Sequence, residues 1–145
     1  MQIIGLFLSL VILSGYYFSE NAQSVSESQN SSFIDSITSS ITIYSSYVQA
    51  YAQNNPTFNG QANSLALNLP TWFNPAPQLS HYISNGTSYV YYTNPTSGMA
   101  SSLSHKTSGL TAGTVQAGTV YSPAAGNTGI TVPATIPNGS LVFIR

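Results

Sequence analysis

The stretch FIDSITSSITIYSSYVQAYAQNNP, Phe33 to Pro56, sets the fold class. Phe33, Ile37, Ile41, Tyr44, Val48 and Tyr51 recur three or four residues apart, and Ser and Thr fill much of the space between them. That period belongs to one face of an α-helix. The spacing predicts an amphipathic helix from about Phe33 to Gln53. Ser31 or Ser32 would cap its start, and Asp35 would complement the helix dipole in its first turn. Asn54-Asn55-Pro56 ends it, because a residue before proline avoids the α region.

Downstream, Pro56 to Pro77 is a connector rich in Pro, Asn and Gly. Its Leu65, Leu67, Leu69, Trp72 and Phe73 point to a packed Ω-type segment, and loops of this length are commonly functional. Trp72 and Phe73, an aromatic pair in a proline-bounded loop, are the candidate partner contacts, with a core lid as the alternative. From His81 the period becomes two. HYIS-NG-TSYVYYT holds Asn85-Gly86 between two β-rich runs, the signal of a type I′ hairpin. Tyr89 and Tyr91 would face one way and Val90 and Tyr92 the other, as in a central strand. Gly98 to Thr107 is ambiguous. AGTVQAGTV repeats with an odd period, which puts Val115 and Val120 on opposite faces unless Gly118 forms a bulge, the reading favoured here. A last strand is expected from Leu141 to Ile144, after an Asn138-Gly139 turn. Pro133 and Pro137 argue for edges or irregular crossings.

Upstream, Ile3 to Phe18 carries no charge. As a helix it would reach ~24 Å, slightly short of a ~30 Å hydrocarbon core, and Tyr16 to Phe18 would sit at the interface. Ile3, Leu6, Phe7, Leu10, Val11, Leu13 and Tyr17 are the expected anchor residues. A cleaved signal peptide and a buried core helix are the competing readings. The first lacks a basic start and a clean small-x-small site. The expected orientation is N-in, C-out, with a periplasmic body. Residues 19–32 form a polar juxtamembrane segment, either a flexible tether or a helical continuation. The chain thus divides into an anchor (1–18), a tether (19–32) and one α+β domain (33–145), in which an antiparallel sheet packs on the amphipathic helix.

Composition narrows function further. Charged residues make up 3% of the 145, with two basic and three acidic side chains, against about 25% in an average domain. Two cations cannot neutralise a run of phosphates, so a nucleic-acid partner is not expected. There is no cysteine, and hence no thiolate chemistry and no disulfide. His81 and His105 lack metal-ligand spacing, and Asp35, the sole Asp, is a poor third member for a triad. Glu20 and Glu27 lie in the polar segment rather than a cleft. No Walker A or GxGxxG motif follows a strand. Asn30, Asn85 and Asn138 begin N-x-S/T sequons but coincide with cap and turn positions. The expectation is a protein without enzymatic activity, cofactor or metal.

Four stretches, YVQAYAQNNPTFNG from Tyr47, LNLPTWF from Leu67, GTSYVYY from Gly86 and ITVPATIPNGSLV from Ile130, resemble the small PilM proteins of thin-pilus systems on enterobacterial conjugative plasmids. The resemblance implies an inner-membrane protein acting in pilin transport or in the basal body of a type IV pilus. Its partners would be other pilus assembly proteins or pilin, with the bilayer contacted through the N-terminal helix. It carries over no ligand residues, and none of the nucleotide chemistry of the unrelated actin-like ATPase of the same name. A pilin-like structural subunit shares the architecture, although Ile3 to Phe18 lacks the acid that processed pilins carry near their start. A secreted enzyme is the third and weakest reading.

Overall fold

The computed structural model describes residues 2–107, 109 and 111–145, with helix and strand side chains described from Glu27 onward. Nine elements follow in order: α1 (Gln2–Asn54), β1 (Asn59–Gly60), β2 (Leu79–Ser84), β3 (Thr87–Tyr92), α2 (Met99–Lys106), β4 (Ala112–Gln116), β5 (Thr119–Ser122), β6 (Gly126–Thr131) and β7 (Leu141–Ile144). The chain divides into two compact units, Met1–Phe33 and Ile34–Arg145.

α1 runs for 53 residues. No helix starts at Ser31 or Ser32, because residues 19–32 contain neither proline nor glycine and remain helical. The Ser32 hydroxyl donates to the Ser28 carbonyl at 2.9 Å, a mid-helix bond rather than a cap. Asp35 accordingly lies far inside α1. Its carboxylate pairs with Lys106 Nζ at 3.1 Å, and the ammonium also donates to Thr38 Oγ1 and Ser39 Oγ. α1 ends as its sequence requires, at Asn54, where the Asn55 side-chain Nδ2 donates to the Tyr51 carbonyl and its backbone N–H to the Ala52 carbonyl. Among the described residues no helix is long and apolar enough to cross a membrane. The side chains of Ile3, Leu6, Phe7, Leu10, Val11, Leu13 and Tyr17 lie outside those described.

Within Ile34–Arg145, α1 packs on a seven-stranded sheet of order β1-β2-β3-β7-β4-β5-β6, antiparallel throughout. Ile37, Ile41, Tyr44, Val48 and Ala52 of α1 meet Ile83, Val90, Tyr92, Leu141 and Phe143 of the sheet, with Met99 and Leu103 of α2. Phe33 departs from its expected place. It is 46% exposed while Ile34 packs on the core, so the buried stripe begins one residue later. Thr38 and Ser45 lie on that stripe, fully buried, and donate to the carbonyls of Ile34 and Thr42. This bond to the preceding turn is what lets hydroxyls occupy a helix face that would otherwise be apolar.

The Asn85-Gly86 turn is as expected. Both residues have positive φ, 48° and 79°, and β2 pairs with β3 from Leu79↔Tyr92 to Ser84↔Thr87. The hairpin therefore starts at Leu79 rather than His81, and the sheet begins earlier still, with β1 at Asn59–Gly60 paired to the end of β2. β3 lies between β2 and β7, with Val90 and Tyr92 toward α1 and Tyr91 toward a second cluster on the opposite face. The expected bulge at Gly118 is not found. Ala117 and Gly118, at φ 48° and 75°, form a two-residue hairpin turn, which makes Val115 and Val120 cross-strand partners. Directly opposed residues share a face whatever their spacing in the chain, so both valines join the second cluster. The irregularity falls one strand further on, between Thr119 and Tyr121 against β6.

Pro133 and Pro137 lie in the crossing between β6 and β7. That crossing buries Ile136 on the second cluster and is tied to the β4–β5 hairpin by Gly139 N to Val115 O and by Gly118 N to Asn138 Oδ1. β7 is a central strand between β3 and β4, so its four residues are all buried. The ambiguous segment after Gly98 is α2.

Candidate partner-binding surface

The connector between α1 and β2 is a chain of turns closed by short-range bonds: Phe58 N to Asn55 O, Ala66 N to Asn63 O, Phe73 N to Pro70 O and Leu79 N to Ala76 O. Its apolar residues split by direction. Leu67 is buried, and Leu69, Phe73 and Ala76 pack against the core, whereas Leu65 is 85% and Trp72 70% exposed. The expected pair therefore divides. Phe73 stacks on Tyr44 of α1 at 6.1 Å between ring centroids and serves as lid, while Trp72 stands edge-on to Phe73 at 5.9 Å with its own surface in solvent. Beside the turn that carries Leu65, a cleft of about 360 Å³ opens against the end of α1, lined by Tyr47, Tyr51, Leu67 and Asn68 among others.

His81 holds this loop in place. It lies on the α1 face of β2, in step with Leu79 and Ile83, and is 4% exposed. The backbone N–H of Ala62 donates to its Nε2 at 3.0 Å, and its Nδ1 lies 2.9 Å from the Tyr44 hydroxyl. With Nε2 accepting, a neutral ring carries its proton on Nδ1 and donates to Tyr44. Burial pushes the imidazole down from 6.5 to about 4 and pushes the Tyr44 phenol up. One histidine thus ties connector, helix and sheet together, a role that its sequence neighbours gave no sign of beyond the even spacing. His105 is exposed at the end of α2. Among the described residues no three His, Cys, Asp or Glu side chains gather where a metal could sit.

The profile of the PilM family matches residues 8–144. The chain belongs to the PilM family. Membership implies a part in pilus biogenesis, among pilus assembly proteins. A crystal structure of a PilM protein from Pseudomonas aeruginosa 2192 is 32% identical, with a TM-score of 0.50, and the match covers 77% of this chain and 95% of that one. A PilM protein from Escherichia coli B7A is 21% identical with a TM-score of 0.61, covering 81% and 94%, a likeness of fold. No curated protein sequence matches. The resemblance drawn from Tyr47, Leu67, Gly86 and Ile130 onward therefore leads to the right family, and its stretches lie in the end of α1, the connector, β3 and the crossing into β7.

Proposed function

We propose that this PilM-family chain is a non-catalytic component of type IV thin-pilus biogenesis, encoded with a conjugative plasmid system. Residues 3–18 hold it at the inner membrane, and its body works in the periplasm in the basal body or in pilin transport. The observation that carries this reading is the family match over residues 8–144, which takes in most of the apolar run together with all but the last residue of the folded body. The absence of catalysis is supported by His81, which is buried with one nitrogen engaged by the connector at Ala62 and the other by Tyr44 of α1. Trp72 is the contact for a pilus assembly partner, since a large exposed aromatic on a backed loop combines apolar area with little ordering cost.

The test is recovery of the tagged full-length chain from membranes. An intact N-terminal mass in the inner-membrane fraction, together with pilus assembly proteins, is the expected result, and a trimmed, freely soluble product would overturn it. Trp72→Ala is expected to leave the denaturant midpoint nearly unchanged, by less than about 1 kcal/mol, because the indole is mostly in solvent. Partner recovery should be lost. A large fall in stability with partner binding intact would return Trp72 to the lid.

A pilin-like structural subunit is the second reading, favoured by the unbroken course of α1 from Gln2 to Asn54. Co-purification with sheared pili, rather than with the inner-membrane platform, would select it.

A further inference from the structure

The chain's two basic side chains, Lys106 and Arg145, are 39 residues apart in sequence yet line the same cleft of about 650 Å³ between α1, the end of α2 and the end of β7. Their states differ. Lys106 is held by Asp35 and by the hydroxyls of α1. Arg145 has no carboxylate partner among the described residues. Its guanidinium stands 5.7 Å from the centre of the Phe143 ring, another wall of the cleft, while its backbone is fixed by reciprocal bonds to Ser88. A cation–π contact orients a guanidinium and leaves its in-plane N–H donors available. Gln49 of α1 lines the same cleft, and its Oε1 is buried without any hydrogen-bond partner. A buried amide oxygen left unpaired has lost its bonds to water without replacement, so it is a standing demand for a donor.

We propose that this cleft binds an acidic peptide segment of a partner protein, whose carboxylate pairs with Arg145 and whose backbone N–H meets the Gln49 amide oxygen as that side chain turns from its buried position into the cleft. The two requirements together define the ligand. A simple carboxylate or inorganic anion answers the guanidinium but brings no donor for the amide oxygen. A neutral peptide answers the amide and leaves the cation unpaired. An amide and a carboxylate in one ligand satisfy both, and bidentate pairing with Arg is the geometry that favours a carboxylate over other acceptors. The surface is separate from the Trp72 loop and does not depend on the membrane anchor.

The test is a titration of the ¹⁵N-labelled full-length chain with N-acetyl-glutamate methylamide, with N-acetyl-glutamine methylamide and acetate as the two partial ligands. The acidic peptide should shift both the Gln49 side-chain amide and the Arg145 Nε–H resonances, and the partial ligands should bind at least fivefold more weakly. Arg145→Gln should lower affinity at least fivefold with thermal unfolding unchanged. Arg145→Lys, which keeps the charge and the bonds to Ser88, should recover part of the loss. Equal binding of the glutamine peptide, full binding by acetate, or an Arg145→Gln variant that binds as well as the parent would each overturn the proposal.

Discussion

Gly113→Val is expected to lower the stability of the folded body by about 3 kcal/mol or more, enough to remove much of a small domain's margin. Gly113 lies in β4, bonded to β7 on one side and facing β5 on the other. A Cβ built there would overlap the Tyr121 carbonyl, standing 2.7 Å from its carbon and 3.0 Å from Ser122 Cα. These neighbours are backbone atoms and cannot rotate aside as a side-chain tip can. Relief requires β4 and β5 to separate, and β4 joins one half of the sheet to the other. Gly118→Asn is the control. It stands at φ 75° in the hairpin turn with open space around the added atom, and Asn enters the left-handed region at little cost, here below about 1 kcal/mol. Urea unfolding of both variants checks the contrast, and equal losses would show that the close approach at Gly113 is absent in solution.

Acidification should weaken the fold through His81. In the folded chain its imidazole sits at about 4 because burial disfavours the cation, whereas an unfolded histidine titrates near 6.5. Between those values the unfolded state binds the proton and the folded state does not, so stability falls as pH falls. It is fully present above about 6.5, declines through the interval, and reaches its floor below about 4. From pH 7 to pH 5 the loss is about 2 kcal/mol for this one group. The group facing the ring is Tyr44, a phenol whose pKa moves up with burial, away from this window. His81→Gln offers an amide oxygen to Ala62 and an amide N–H to Tyr44 without titrating, so its denaturant midpoint should vary much less over the same range. An unchanged pH slope in that variant would place the proton uptake elsewhere.

How much of this could be read from residues alone depended on how far apart the deciding groups are in the chain. The buried stripe from Ile37 to Val48 and the stop at Asn54 follow from i+3/i+4 spacing and from a proline, both local. The Asn85-Gly86 turn follows from two residues that tolerate positive φ. The helical reading of residues 19–32 stayed open because polar residues without breakers permit a helix without requiring one. Val115 and Val120 share a face as the favoured reading expects, but through a turn rather than a bulge, since the two differ in pairing and pairing is a property of two strands. Trp72 and Phe73 were singled out together, yet one is lid and the other surface, since adjacent loop residues diverge according to what lies beneath them.

Composition and periodicity were sufficient for an α+β domain, for its principal helix and for the Asn85-Gly86 hairpin, while the family came from the resemblance of four stretches. The central place of β7, the close approach at Gly113, the burial of His81 and the meeting of Arg145 with Lys106 came only from the folded chain. The physical reason is range. Dihedral preference and alternation of faces act over a few neighbouring residues, whereas strand order and shared clefts depend on which distant surfaces leave water together.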